Sequence, residues 1–307
     1  MKLSMRKYQY EEDFWRIRAL AREAFLLNDR LERSWSTPRV DYWRWHFIKT
    51  VETPPMDQVA FLWETADGQL VATIHTLFSE AYLIVHPEFR SAELENEMFA
   101  TAEQNLPTSS PNGKRKLFAL ADEDEPMRKE VLAARGYTFR DQPVYRWRRD
   151  LVPVLPEVYV PPGYTIRSMG DSSEYTARAW ASWRAFHPDE PDAGFEGGDW
   201  MANLQSAPLY RRDLDIVAES PYGEIAAFST IFYDDFTRSA VCVLVGTAPE
   251  HQRLGLGKAV ITEGLHRLQR LGGTRVFANG FDPPANALYR SALGTSYRAE
   301  SWFKGLE

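Results

Sequence analysis

The sequence predicts an α+β protein built from two similar halves, and three observations support this. The chain has 307 residues, which favours about two domains because a domain typically holds on the order of 150 residues. The segment 151–163 contains Pro153, Pro156, Pro161 and Pro162. Proline removes backbone donors and favours extended chain, so this segment predicts a semi-rigid linker. The halves 1–150 and 151–307 repeat one order of strands and helices, which indicates an internal duplication.

Hydrophobic periodicity predicts the elements of the first half. Alternating apolar residues indicate strands, and apolar residues three or four apart indicate helices. The predicted elements, in chain order, are a strand in 1–8, a helix over 11–27, hairpin strands 58–64 and 69–77 around the turn 66–68, a strand 81–85, a helix 94–106, a strand 116–120, a helix 126–135 and a strand 143–149.

The second half repeats this order after the linker. Its strand 240–247, AVCVLVGT, is apolar nearly throughout, which is typical of a central strand covered on both faces. The predicted elements are a strand 164–169, a helix 174–186, hairpin strands 214–218 and 224–233, the strand 240–247, a helix 257–271 ended by Gly272 and Gly273, a strand 275–279, a helix 286–292 and a strand 297–304.

Charge and composition exclude several classes of protein. The net charge is −7, which disfavours sequence-independent nucleic-acid binding because that depends on a dense basic surface; an amine-bearing partner is easier to accommodate. The single cysteine, Cys242, excludes an intrachain disulfide and a Cys-rich zinc site, and we predict no metal site. There is no signal-peptide-like start and no apolar run of about 18 residues, so we expect a cytoplasmic protein without a membrane partner.

The sharpest motif is the loop after strand 240–247, with Gly255 and Gly257 ahead of a helix. Glycines let backbone N–H groups approach a phosphate, and a helix N-terminus supplies donors and partial positive charge. Arg253 and Lys258 add cations. A Walker A loop would need glycine at 252 and Ser or Thr at 259, and a dinucleotide fingerprint would need glycine near 260. On these residues alone, a tight turn without a ligand is an equally good interpretation.

Two motifs together resemble those of the GNAT superfamily of N-acyltransferases. Gln252-x-x-Gly255-x-Gly257 matches its pattern Q/R-x-x-G-x-G/A, and the stretch from Asn286 through Tyr289 to Gly294 resembles its second signature. The order β-α-β-β-β-α-β-α-β is also shared, so the chain resembles a tandem-domain GNAT N-acetyltransferase. The resemblance implies two tandem domains, each a mixed, mostly antiparallel sheet splayed at its centre and flanked by helices. It implies acetyl-CoA in the opening and direct transfer to a primary amine of a small molecule or peptide.

The resemblance also assigns roles to residues. Tyr289 is the implied general acid for the leaving thiolate, since a phenol with a pKa of about 10 suits that step. Asn286 would bind the CoA arm, with a helix cap as the alternative, and Gly246 indicates a bulge where the strand splays. The implied CoA-binding residues are Val245, Thr247, Gln252, Arg253, Leu254, Gly255, Leu256, Gly257, Lys258 and Asn286.

The general base stays open. The strand glutamate of some family members falls at Val241 here, so water, Glu224 or an aspartate of the turn at 234–235 could relay the proton, with a plain β-turn favoured for the aspartates. His187 is a weaker candidate, and His251 is expected to be solvated or to contact CoA. Cys242 is expected to be a small core residue. The acidic, aromatic segment 185–210 either attracts an ammonium-bearing acceptor or is a solvated loop.

The first half is predicted to be degenerate at the matching loop. Glu93 and Glu95 occupy the positions of Gly255 and Gly257, and Val131 falls opposite Tyr289. A carboxylate repels a phosphate, so we expect 1–150 to be a non-catalytic domain and 151–307 to be the catalytic one. We expect a monomer whose halves form an internal pseudo-dimer, because the linker keeps their effective concentration high. An acyl-CoA-binding regulator without turnover is the alternative function.

Overall fold

The computed structural model describes residues 2–51, 53–109, 113–151 and 154–306. Met1 of the first predicted strand and Pro153 of the predicted linker lie outside the described residues. Contacts group the chain into two compact units, Met1–Tyr145 with Tyr297–Glu307, and Arg146–Ser296. The last strand, which the sequence analysis assigns to the second half, therefore packs within the first unit.

The first unit is a sheet with strand order β1-β2-β3-β4-β6-β13 and helices around it. Its elements before the linker are β1 (Ser4–Lys7), α1 (Glu11–Leu27), α2 (Thr37–Tyr42), a π-helical turn (Trp43–Ile48), α3 (Met56–Val59), β2 (Ala60–Glu64), β3 (Leu70–Leu77), β4 (Glu80–Val85), a 3₁₀ turn (Pro87–Phe89), α4 (Ala92–Asn105), β5 (Thr108–Ser109), β6 (Arg115–Asp122), α5 (Pro126–Ala134) and β7 (Thr138–Asp150).

The second unit has strand order β7-β12-β11-β10-β9-β8, and β7 enters it with its last residues. The elements after the linker are β8 (Thr165–Ser168), a 3₁₀ turn (Ser172–Glu174), α6 (Tyr175–Phe186), a 3₁₀ turn (Asp192–Gly194), α7 (Trp200–Gln205), a 3₁₀ turn (Arg212–Leu214), β9 (Asp215–Glu219), β10 (Ile225–Asp234), β11 (Ser239–Thr247), a 3₁₀ turn (Pro249–His251), α8 (Leu256–Arg270), β12 (Arg275–Gly280), α9 (Pro283–Ala292) and β13 (Thr295–Leu306).

The predicted fold class is confirmed, including the splayed sheet. Strands β8 to β11 pair antiparallel in sequence, whereas β11 pairs with β12 in parallel. That parallel pairing covers Ser239–Val241 against Arg275–Phe277. Within the described range 154–306, β11 continues to Thr247 and β12 to Gly280 beyond the last pair. The two strands part there, and backbone groups of β11 face the opening.

The bulge in β11 lies elsewhere than predicted. The register against β10 shifts between Thr230 and Ile231, which face Leu244 and Cys242, so Val243 is the extra residue. Gly246 stays paired with Phe228. A Cβ at Gly246 would lie 2.5 Å from Phe228 Cζ and 2.8 Å from Ala185 Cβ. The prediction of a bulge at Gly246 is therefore wrong. The glycine instead leaves space for the Phe228 ring and for Ala185 of helix α6 to pack against the strand.

The expectation that Cys242 is a small core residue is confirmed, since it is buried in β11. Trp43 and Trp45 are buried in the first unit. In the described part of the chain, no helix has the length and apolar character needed to cross a bilayer.

Candidate active site

The open end of β11 carries the first group of predicted binding residues. Val245, Gly246 and Thr247 are partly exposed, unlike the buried first half of the strand. Helix α6 covers this end through Ala185, which would touch any side chain at residue 246. A strand can pair with a neighbour on each of its two edges. Because β12 has parted from this end of β11, the peptide groups on that edge can bind a ligand in the opening.

The glycine loop joins this strand end to α8. Gln252 Nε2 donates to the Thr247 carbonyl oxygen at 3.2 Å, which holds the loop against the strand. Arg253 has φ +65° and Gly255 has φ +87°. A non-glycine residue in the left-handed region is uncommon and clusters at functional sites. Positions 252–255 and Lys258 are exposed, so the loop presents its backbone and two cations to solvent.

Helix α8 begins without a side-chain cap. Its N-cap residue is Gly255, which has no side-chain oxygen to offer. The first N–H groups of a helix lack intrahelical acceptors, and they carry the positive end of the helix dipole. This end of α8 can therefore receive an anion, and the predicted residues Gln252–Lys258 meet at that point.

Gly257 lets three elements meet beneath the loop. A Cβ there would lie 3.2 Å from Thr247 Oγ1 and 3.3 Å from Leu288 Cδ2. The residue is buried in the first turn of α8. Glycine therefore brings the end of β11 and helix α9 against the start of α8.

Asn286 lies inside α9 and is not its cap. The cap is Asp282, whose Oδ1 accepts from Ala285 N at 2.7 Å. Asn286 Oδ1 instead accepts from Trp147 Nε1 at 2.8 Å, and a Cβ at Gly280 would collide with that oxygen. The helix-cap alternative is wrong. Because Trp147 engages the acceptor oxygen, the amide nitrogen is the group that can donate to a ligand.

Tyr289 follows Leu288, the residue of α9 that contacts the base of the loop. Its side chain is only 8% exposed, so its ring contributes to packing in addition to any catalytic role of its hydroxyl. Its role as general acid stays a prediction.

The structure separates the candidate bases. Asp234 pairs with Ser239, at the end of β11 opposite Thr247, so eight residues at 3.3 Å each place it about 26 Å from Thr247 and the glycine loop. Asp234 is buried and accepts from Thr237 Oγ1 at 3.0 Å, which supports the interpretation as a turn. Asp234 and its neighbour Asp235 thus lie at the end of β11 remote from the glycine loop, and their role as a base stays a prediction.

Two histidines lie at the other end, near the loop. His251 Nδ1 is 2.8 Å from Tyr164 Oη, and its Nε2 is 3.6 Å from Glu224 Oε2. His187 follows α6 and stacks on Trp183, with ring centroids 4.0 Å apart. It lies two residues beyond Ala185, which covers Gly246. His187 and Glu224 are therefore the candidate bases that lie at the glycine-loop end of β11.

The acidic segment 185–210 is anchored by its aromatic residues. Phe195 packs edge-on against Trp180 at 5.2 Å. Arg184 pairs with Glu250 at 2.7 Å, and this hydrogen bond lowers the pKa of the Glu250 carboxyl. The acidic side chains Asp189, Glu190, Asp192, Glu196 and Asp199 are exposed. Both interpretations of this segment remain compatible with that arrangement.

A buried charged cluster packs beneath the open end of β11. The sequence analysis did not predict it. Asp215 Oδ1 accepts from Thr230 Oγ1 at 2.8 Å and lies 3.8 Å from Arg178 Nε. Burial raises the Asp215 pKa, against the opposing effect of Arg178. The Arg178 guanidinium lies 3.5 Å from the centroid of Phe228, the ring that fills the space at Gly246. Arg178 resembles an exposed helical residue in the sequence, so no pattern signals its burial.

The matching loop of the first unit is closed by its own side chains. Ser91 Oγ caps α4 by accepting from Leu94 N at 3.2 Å. Glu95 is buried and ion-paired with Arg90 and Arg128. Burial opposes its ionisation, but the two guanidiniums outweigh this and lower the Glu95 pKa to about 2.

The predicted register of this loop needs correction. Counted from the helix start, Ser91 lies where Gly255 does and Glu93 where Gly257 does. The loop after the 3₁₀ turn spans 90–91 in the first unit and 252–255 in the second. It is shorter by two residues, so placing Glu95 opposite Gly257 was wrong. The glycines are still replaced by a capping serine and a glutamate.

Known proteins share this architecture. Residues 177–295 match the model of the Acetyltransferase (GNAT) family. A GCN5-related N-acetyltransferase from Sphaerobacter thermophilus has a TM-score of 0.66 at 18% identity, covering 99% of this chain and 95% of that one. A tandem GNAT protein from the clavulanic acid biosynthesis pathway has a TM-score of 0.65 at 15% identity, covering 99% and 98%. At these identities the likeness shows the fold alone.

Two relatives are named mycothiol acetyltransferase. The one from Thermomonospora curvata is 30% identical over 152 residues, covering 49% of this chain and 50% of the relative. The one from Nocardioides sp. is 26% identical over 234 residues, covering 70% and 76%. The match thus spans about half the length of the first relative. The chain therefore shares the fold of tandem GNAT structures, and its residues 177–295 match the GNAT family of acetyltransferases.

Proposed function

We propose that this protein is an acetyl-CoA-dependent N-acetyltransferase acting on a primary amine of a small molecule or peptide. The observation that carries the proposal is the uncapped N-terminus of α8, which meets the open end of β11 at an exposed, cationic loop. A helix start of this kind binds phosphate groups. The family match supports acetyl-CoA as the bound donor.

The chain's groups divide the work of binding and transfer. The N–H groups of the loop 252–257 bind the pyrophosphate, with Arg253 and Lys258 as counter-charges. Backbone groups at Val245 and Thr247 pair with the pantetheine amides and polarise the thioester carbonyl. The Asn286 amide nitrogen donates to the same arm.

Transfer is a direct displacement. The neutral amine nitrogen forms a bond to the thioester carbonyl carbon, and the carbon–sulfur bond breaks. An acceptor that arrives as an ammonium ion first loses one proton to solvent, and the second proton, lost as the amide forms, passes through water or through His187 or Glu224 to solvent. Tyr289 donates a proton to the departing thiolate and regains one from solvent. The exposed acidic segment 185–210 attracts the acceptor as an ammonium ion.

The two halves have different roles in this proposal. The catalytic domain is 151–307, which holds the glycine loop. The domain 1–150 is non-catalytic, and the Ser91 cap and the glutamates at the start of α4 support this. A self-capped helix offers fewer free donors to a phosphate, and a carboxylate beside it repels one.

Release of free thiol from acetyl-CoA with a panel of primary amines tests the activity. We expect thiol release that depends on one class of amine. The relatives are named mycothiol acetyltransferases, so the panel includes a thiol-bearing amine, whose acetylated product is measured by mass because the acceptor carries its own thiol. Binding of acetyl-CoA without transfer to any amine would favour an acyl-CoA-binding regulator.

We expect one acetyl-CoA to bind per chain. The reason is that the glycine loop follows β11, whereas the corresponding turn before α4 is capped by Ser91. Isothermal titration calorimetry of the full chain measures the stoichiometry. Two equivalent sites would contradict the assignment of 1–150 as a non-binding domain.

A further inference from the structure

The proline-rich linker runs along helix α8 towards the glycine loop. Gln269 Nε2, near the C-terminal end of α8, donates to the Leu151 carbonyl oxygen at 2.5 Å. Further along, His266 Nε2 lies 2.9 Å from the Pro156 carbonyl oxygen. At the N-terminus of α8, Tyr159 Cδ1 lies 3.9 Å from where a Cβ of residue 255 would be. From Pro156 to Tyr159 the linker therefore runs antiparallel to the helix and reaches the loop.

The backbone next to Tyr159 is also fixed on its other side. Tyr164 N donates to the Pro161 carbonyl oxygen at 3.1 Å, and Gly163 has φ +84°. With Pro162 before that glycine, this is a type II turn. Leu155 and Pro161 are buried on either side of Tyr159. The Tyr159 side chain itself is 68% exposed, so an aromatic ring is held in solvent next to the phosphate-binding loop.

We infer that Tyr159 is a stacking platform for the adenine ring of the bound acyl-CoA. The inference rests on the proposed function, because the pyrophosphate on loop 252–257 places the attached adenosine at this edge of the protein. A purine stacks on an aromatic face, and a tyrosine offers that face at low entropic cost when its backbone is already fixed. Tyr159 is therefore a specificity residue that favours donors carrying a purine nucleotide.

Binding of two donors to Tyr159→Ala tests the inference. Acetyl-CoA carries the adenine, whereas acetyl-pantetheine has the same thioester arm without it. We expect Tyr159→Ala to weaken acetyl-CoA binding about 5- to 150-fold, the range that loss of one base–aromatic stack produces. The KM for acetyl-pantetheine should stay within about twofold of the wild-type value.

Two further variants separate stacking from other effects. Tyr159→Phe keeps the ring and should retain wild-type affinity. Tyr222→Ala removes another exposed tyrosine, 87% exposed in the β9–β10 turn, and should change neither donor's binding. Unchanged acetyl-CoA affinity in Tyr159→Ala, equal loss for both donors, or equal loss in Tyr159→Phe would overturn the inference. If the wild-type chain bound no acetyl-CoA, the proposed function would fail first and this inference with it.

Discussion

Replacing Tyr289 with phenylalanine should lower kcat by about 10²–10⁴-fold, the contribution typical of a general acid. The substitution keeps the ring, which is 8% exposed within α9, and removes the hydroxyl. Affinity for acetyl-CoA should change little, because the proposed contacts come from the backbone of β11 and the loop and from Asn286. Steady-state kinetics with the preferred amine and calorimetry with acetyl-CoA measure the two quantities.

A second tyrosine provides the matched control. Tyr233 is also buried in the second unit, and its hydroxyl donates to the Leu271 carbonyl oxygen at 3.3 Å. Tyr233→Phe therefore loses a hydroxyl at the end of β10 and β11 that is remote from the glycine loop. Each variant should lose about 0.5–1.5 kcal/mol of stability at most, the net value of one hydrogen bond. Only Tyr289→Phe should lose activity.

The combination of readouts decides the role of Tyr289. A large loss of stability with a modest loss of rate would make it a core aromatic residue. Loss of acetyl-CoA affinity at unchanged kcat would make it a binding residue. A kcat lowered less than threefold would leave solvent as the proton donor.

Much of the fold was predictable because local signals agreed with the tertiary structure. Helix α1 has the predicted bounds, 11–27, and it begins with an acidic first turn that suits the helix dipole. The hairpin β9–β10 turns at Gly223, whose φ of +81° suits glycine. The π-helical turn Trp43–Ile48 was not predicted, because its aromatic residues have no periodicity that separates it from an ordinary helix or loop.

The site was predictable to the level of the loop, but not of its surroundings. The glycines and cations of 252–258 are contiguous in the sequence, so their pattern indicates their common location. Trp147 contacts Asn286 from a strand far away in the chain, and Arg178 pairs with Asp215 across two elements. Such pairs join residues that are far apart in the chain, so no short sequence motif predicts them. The composition of the linker predicts a semi-rigid chain, but not the contacts of Pro156 and Tyr159 along α8.

Gly255 offers a sharper test of the loop than Gly257. A Cβ at Gly257 would press on Thr247 and Leu288, so a substitution there disturbs packing as well as binding. Gly255 is exposed, has φ +87° and would bring a Cβ no closer than 3.9 Å to Tyr159. Asp and Asn both tolerate the left-handed region better than other side chains. Gly255→Asp and Gly255→Asn thus form a matched pair. Both pay a similar conformational free-energy cost at this positive φ, and they differ in charge.

Gly255→Asp should weaken acetyl-CoA binding about a hundredfold relative to Gly255→Asn. Two like charges about 5 Å apart repel by about 3 kcal/mol at an effective dielectric constant of 20, and 3 kcal/mol is somewhat more than a hundredfold in affinity. The difference should shrink as salt is raised, because exposed charges are screened. Thermal stability of the aspartate variant should equal or exceed that of the asparagine variant, since a carboxylate favours a helix N-terminus. Calorimetry at two salt concentrations measures the affinities, and equal affinities in the two variants would remove the pyrophosphate from this loop.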